Sequence, residues 1–392
     1  MIVLAGGDIV LPDRILTSAS LLIDDGRIAA IERGAAAPSG AFTIDARDTY
    51  IVPGFIDVHV HGIEGHDTLD GDDAITSIAA RLPRYGVTAF CPTTIACAPA
   101  ELTAVLDQIG RARTNAVRGA RVLPAHLESN FINPDYHGAQ PRACLRLPTA
   151  ARVEGAFSGR EILEAITARQ ADVGIITIAP ELPGVFDLIA PFTRAGHRVS
   201  LGHSGADFEQ AIEAIEAGAR HATHLFNRMT PLTHRKPGVA GAVLSHDDVM
   251  AELICDGYHV HPAMCRVAID AKGVDGIIAI TDGTAGSGLP AGSTARLGGQ
   301  SIRVSDTAAL LDDGTLAGST LTMDRAFRNI VALFHASITE AAIMCSTTPA
   351  RALGLRGFGV IADGNVADLV VLDRGFRVTR TFVNGDEIYR AG

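Results

Sequence analysis

Eight short apolar runs, each closing on a polar residue at a chain reversal, constrain this sequence more than any other feature. They read FIDVHVHG, GVTAFCPTT, VLPAHLES, IITIAPE, RVSLGHS, HATHLFN, AELICDGYHV and GIIAITDG. Between them lie stretches of helical period, such as the one from Asp207 to Gly218. Strand–helix alternation repeated eight times predicts an α/β fold, a closed (β/α)8 TIM-like barrel. Reactive groups in such barrels stand at the carboxyl ends of the strands, so the polar terminators converge on one rim.

The 392 residues exceed the roughly 250 that a barrel takes. The surplus lies at the two ends. Residues 1–50 are strand-like and turn-rich, with Asp25-Gly26 between alternating segments as a hairpin signal. Residues 353–392 repeat that texture, with Asn384-Gly385 as a second hairpin. These two segments are expected to pair into one small β-sandwich flanking a barrel of residues 51–352. The Gly/Ser/Pro-rich stretch after Asp282 is expected to be a long loop following the eighth strand.

Bulk properties exclude several function classes. No run of about 18 apolar residues is present, which argues against a transmembrane helix and membrane partners. The N-terminus lacks a basic region and begins like a strand, unlike a signal peptide. A net charge of -11 argues against nucleic acid as a partner, since phosphate backbones need clustered positive charge. The six cysteines (Cys91, Cys97, Cys144, Cys255, Cys265 and Cys345) show no CxxC spacing and read as reduced thiols of a cytoplasmic protein.

His59-Val60-His61 ends the first run. A period of two turns both imidazoles to one side, a natural chelate for a borderline-soft divalent ion. Taken alone, the pair reads equally well as two polar rim histidines. His203 ends the fifth run and His224 the sixth, which places two more imidazoles on adjacent strand ends. Glu128 ends the third run and supplies a carboxylate able to bridge two ions; His126, on the same side, reads as a buried support. A carbamylated lysine is not available for that bridge, because Lys236 and Lys272 are the only lysines and neither ends a strand. Asp282 ends the eighth run, placed to accept a proton from water; a helix N-cap is the bland alternative.

These residues, with PGFIDVHVHG, HLES-FINP, ITIAPE, SLGHS, THLFNRM, DGYHV, ITDG and LAGSTLTMDRAFRN, resemble the amidohydrolase superfamily. Within it the chain is similar to the N-acetylglucosamine-6-phosphate deacetylases over nearly its whole length. The resemblance implies hydrolysis of the N-acetyl amide of a phosphorylated amino sugar, with one or two divalent ions per chain, Zn²⁺ first among them. It implies Glu128, His203 and His224 as the principal metal site, His59 and His61 as a second-site pair, and Asp282 as general base and acid. It further implies substrate contacts from Ala139, Gln140, Asn227, Arg228, His259, Leu316, Ala317 and Gly318, with alanine the family's more usual residue at 228. Arg235 matches an arginine that binds phosphate from the adjacent subunit of a homodimer; on its own terms it equally reads as a surface arginine. Related substrates such as N-acetylgalactosamine-6-phosphate, and a non-catalytic scaffold on the same fold, are the rival readings.

Two departures bear on the acyl group. Where the family usually has HLEGPFINP, this chain has Ser129-Asn130 in place of Gly-Pro, and Gln140 stands where the family has histidine. Gln140 can donate a neutral hydrogen bond but cannot carry charge. The reaction type is expected to hold, and the exact substrate to depend on this loop.

Overall fold

The barrel strands are rich in Ile, Val, Leu and Ala and are buried along almost their whole length, as a parallel sheet covered on both faces requires. A computed structural model describes residues 1–33, 40–71, 73–115, 117–149, 156–305 and 307–392. Its parallel strands run Phe55–Val60, Val87–Thr94, Ala125–Glu128, Val173–Ile178, Arg198–Leu201, His221–Ala222, Met250–Ile254 and Ile277–Ile280, each paired with the next. The barrel closes where the eighth strand meets the first. There the Asp282 N–H donates to His59 O (2.9 Å) and the His61 N–H to Gly283 O (2.7 Å). The (β/α)8 expectation holds.

Helices return the chain between strands, and their caps are local. Asp207 accepts from the Gln210 N–H at 2.9 Å while Gln210 Oε1 accepts from the Asp207 N–H at 3.0 Å. This capping box starts the helix Phe208–Glu216 a few residues past His203. Ala211, Ala214 and Ile215 form its buried face.

The two chain ends meet in one sheet of eight strands, in which Thr49–Pro53 pairs antiparallel with Leu369–Asp373. The strand Thr49–Pro53 thus runs across the expected boundary at residue 50, and the barrel begins with Phe55. Leu4, Leu21, Ile44, Leu369, Val371 and Phe382, from both ends of the chain, share one core separate from the barrel's. Asp25-Gly26 and Asn384-Gly385 both adopt positive φ and turn their hairpins in two residues, as type I′ turns do.

The expected long loop after Asp282 is partly strand. Thr294–Leu297, Gln300–Val304 and Ala309–Leu310 form a small antiparallel sheet, turned by Gly298-Gly299 at φ 51° and 86°. Its glycine density marks a tight hairpin and not an irregular loop. The sheet leans over the barrel mouth, where Gln300 Nε2 donates to Ala139 O at 2.8 Å.

Candidate metal centre at the barrel mouth

Strand ends deliver the candidate ligands. His59 and His61, two apart on the first strand, place their Nε2 atoms 3.3 Å from each other. His203 and His224 lie just past the fifth and sixth strands with φ of 48° and 30°, and Asp282 past the eighth with φ 49°. Three non-glycine residues in the left-handed region at one site store strain, which re-aims each side chain inward as its strand stops.

Glu128 is the hub. Its Oε1 lies 2.9 Å from His203 Nε2 and 2.9 Å from His224 Nε2, which are themselves 3.0 Å apart. Its Oε2 faces the other pair, 3.4 Å from His61 Nε2. Asp282 Oδ1 completes that second group at 3.3 Å from both His59 and His61 Nε2. All six residues are buried.

The protons on the imidazoles decide what the cluster can hold. His59 Nδ1 meets Glu252 Oε2 at 2.8 Å, His61 Nδ1 meets Thr93 O at 3.2 Å, and His203 Nδ1 meets Tyr136 O at 2.8 Å. Those oxygens can only accept, so each neutral ring carries its proton on Nδ1 and turns a lone pair on Nε2 inward. The lone pairs of His59 and His61, 3.3 Å apart, repel each other, and a divalent cation is the partner that fits nitrogen and carboxylate donors so arranged. The donor set therefore fits a metal at Glu128, His203 and His224, and a second at His59, His61 and Asp282.

Electrostatics point the same way. Burial opposes a charged His59, yet Glu252, Asp282 and Glu128 outweigh it and lift its pKa to about 9. For His61 burial is likewise overcome, here by hydrogen bonds to Asp282 and Glu128, giving a pKa of about 10. Burial would raise the Glu128 and Asp282 carboxyls, but the surrounding imidazoles hold both below their ordinary values. The site so concentrates negative charge that, without an ion, protons are drawn onto its histidines.

Supporting residues fix these groups. Glu252, fully buried, accepts from His59 Nδ1, from His221 Nε2 at 2.9 Å and from the His224 N–H at 3.1 Å. Asp57 accepts from Thr281 Oγ1 at 2.6 Å across the barrel seam, and burial pushes its pKa up to about 7. His126 is fully buried: its Nε2 meets Thr177 Oγ1 at 2.8 Å and its Nδ1 meets Val58 O at 3.1 Å, and burial holds its pKa down at about 3, so it stays neutral. Glu181, past the fourth strand, accepts from Asn133 Nδ2 (2.9 Å), Ser204 Oγ (2.8 Å) and the Gly205 N–H (2.5 Å), tying three loops together. Lys272 ends its helix and donates to His246 O, away from the centre. Sequence reading passed over Glu252 and Asp57; the available signal was an acid inside an otherwise apolar strand.

Above the cluster opens a cavity of about 430 Å³. Ala139, Gln140, Asn227, Arg228, His259, Leu316 and Gly318 stand on its wall. Ala317 does not: it is fully buried in the apolar core of the small sheet with Ile95, Ala285 and Ile302, because a period of two turns it away from the side that Leu316 and Gly318 present. Arg235 is also absent from the wall and sits on an exposed loop spanning residues 231–236. Gln140 is held at both ends of its amide. Its Oε1 accepts from the Ala96 N–H at 2.7 Å and its Nε2 donates to Glu128 Oε2. Asp256 Oδ2 meets His259 Nδ1 at 2.6 Å, and against the effect of burial this contact keeps the His259 pKa above its ordinary value.

Comparison with known proteins agrees with this geometry. Residues 50–388 match the model of the amidohydrolase family. An N-acetylglucosamine-6-phosphate deacetylase of Lysinibacillus sphaericus is 36% identical over 92% of this chain and 91% of its own. An N-acetylgalactosamine-6-phosphate deacetylase of Escherichia coli is 35% identical, over 93% of each. The solved structure of an N-acetyl-D-glucosamine-6-phosphate deacetylase from Mycobacterium smegmatis, in complex with N-acetyl-D-glucosamine-6-phosphate, superposes with a TM-score of 0.88 at 30% identity, covering 99% of both chains.

Proposed function

Because this chain belongs to the amidohydrolase family and is a hydrolase acting on a linear amide, we propose that it removes the acetyl group from N-acetylglucosamine-6-phosphate. Glucosamine-6-phosphate and acetate are the products. The observation that carries this reading is Glu128, whose Oε1 joins His203 and His224 while its Oε2 faces His61, directly beneath the cavity.

Glu128, His203 and His224 would hold a Zn²⁺ ion, and His59 and His61 a second. A bound divalent ion supplies Lewis acidity toward water and toward the acyl oxygen. Asp282, ionised and at the cavity floor, accepts the proton as water attacks the acetyl carbon, and returns it to the departing amine. Gln140 Nε2 has one hydrogen on Glu128 and one left over, a neutral donor beside the reacting centre. Asn227, Arg228 and His259 line the cavity, where the sugar and its phosphate would lie. The exposed position of Arg235 suits an arginine that serves the partner's site in a homodimer. Six unpaired cysteines suit a reducing cytoplasm, and among the described residues no helix is long and apolar enough to cross a membrane.

A second reading replaces the substrate by its galactosamine epimer, since a relative of that name is almost as similar as those acting on the glucosamine compound. Purified metal-loaded protein assayed for acetate release on both epimers, with and without the 6-phosphate, tests both. Deacetylation of N-acetylglucosamine-6-phosphate at the highest kcat/KM supports the proposal; the reverse order moves the assignment to the epimer, and no acetate from either overturns both.

A further inference from the structure

The opposite end of the barrel carries a larger cleft, of about 1180 Å³, bounded by the segments that lead into the third to sixth strands. Its wall holds four arginines, Arg113, Arg121, Arg198 and Arg220, and among the described residues one carboxylate, Asp172. Asp172 is taken by Arg113, which ion-pairs with it. Arg220 Nη1 donates to Ile215 O and Ala219 O, and among the described residues its Nε and Nη2 have no hydrogen-bond partner. Among the described residues the buried Nε of Arg121 has no hydrogen-bond partner, and its Nη2 lies 3.7 Å from Asp368.

Arg198 is the most exposed contradiction. It opens the fifth strand half-buried, and among the described residues its guanidinium has neither hydrogen-bond acceptor nor ion pair. Burial and then the like charge of Arg220 both act to lower its pKa. A protein with net charge -11 has acidic side chains to spare, yet among the described residues none pairs with Arg198 or Arg220, and the one carboxylate on the wall, Asp172, is held by Arg113. Guanidinium groups in such a setting present a fork of donors matched to a tetrahedral oxyanion.

We propose that this cleft is a second ligand site, in which Arg198 and Arg220 bind phosphate, free or as a small phosphate monoester. It is separate from the centre at the mouth, at the far ends of the strands that lead to His203 and His224. Arg198 begins the strand that runs into His203, and Arg220 directly precedes His221, whose Nε2 meets Glu252. Occupancy therefore has short structural paths to the metal ligands.

The test is the thermal midpoint of the metal-loaded protein in sodium phosphate against sodium chloride of equal ionic strength. Wild type, Arg198→Gln, Arg198→Lys and the cavity variant Arg228→Ala are compared. Phosphate should stabilise wild type and Arg228→Ala. Arg198→Gln should weaken the phosphate affinity at least tenfold, and Arg198→Lys should weaken it less. In chloride, Arg198→Gln should melt no lower than wild type, because it removes an unpaired charge. Glucose 6-phosphate, run in the Arg228→Ala background, separates the sources: a lower midpoint concentration than phosphate assigns the monoester, an equal or higher one the free ion. A phosphate response that is absent, or unchanged in Arg198→Gln, overturns the site. So does a response lost with Arg228→Ala, which would place it at the mouth.

Discussion

Glu252 Oε2 lies 2.8 Å from His59 Nδ1, and the same carboxylate also accepts from His221 and from the backbone of His224. One buried acid on the seventh strand thus fixes the ring of His59, past which the first strand ends, and the backbone of His224 after the sixth. Glu252→Gln keeps the shape but offers one acceptor oxygen instead of two. Affinity for the ion at the His59–His61 pair should fall about 10–100-fold. Metal content after dialysis against a graded chelator reads this directly; an unchanged affinity would mean the pair is oriented by packing alone.

Asp282→Asn should cut kcat by roughly 10²–10⁴-fold, the usual cost of losing a general base. Because Asp282 Oδ1 also sits 3.3 Å from both His59 and His61, the second ion should be weakened too, while the ion at Glu128, His203 and His224 stays. Metal analysis at saturation should therefore give about one ion per chain beside the collapsed turnover. Near-native turnover would move the base role to another group.

Gln140→Ala should destabilise the protein by roughly 1–3 kcal/mol, because the buried Ala96 N–H loses its acceptor. Turnover should fall as well, since Glu128 Oε2 loses the donor that positions it. Chemical denaturation of the metal-loaded protein gives the first effect and acetate release the second. Gln140→His can serve either Ala96 or Glu128 but not both with the same geometry, so it should be slower than wild type. A faster Gln140→His would show that the glutamine is a deficit inherited by this loop.

Arg228→Ala removes the one guanidinium on the cavity wall among the described residues. A charge-assisted hydrogen bond is worth about 1.5–3 kcal/mol, so KM for the phosphorylated sugar should rise about 10–150-fold with kcat little changed. The unphosphorylated sugar should be indifferent to the substitution. If both substrates lose equally, Arg228 supports the loop and does not read the phosphate.

Metal loading should release protons. In the ion-free protein His59 and His61 titrate at about 9 and about 10, raised by Glu252, Asp282 and Glu128 against the effect of burial. Ligation needs both rings neutral, so at pH 7 Zn²⁺ binding expels their protons and its affinity climbs with pH until about 9–10. The stability sign is the reverse for the ion-free protein. Raised imidazole pKa values stabilise it fully below about 6.5, and that contribution is lost as pH rises through 9 and 10. Titration calorimetry in two buffers of different ionisation heat counts the protons; none released at pH 7 would contradict the electrostatic account.

Local pattern was enough to determine the barrel, the meeting of the chain ends and the polar residues at the strand ends. Period and turn chemistry act within a few residues: His59 and His61 share a side because strands alternate, and Asp25-Gly26 turns because both residues tolerate positive φ. What lies across the fold was decided only by closure. Glu252 and Asp57 read as acids stranded in apolar strands until the seventh and eighth strands set them beside His59 and Thr281. Gly298-Gly299 belongs to a hairpin because the small sheet has the barrel mouth to pack on, and the same packing turns Ala317 out of the cavity. The direction of the Gln140 amide depends on Ala96 and Glu128, 44 and 12 residues away, and no window of sequence contains that relationship.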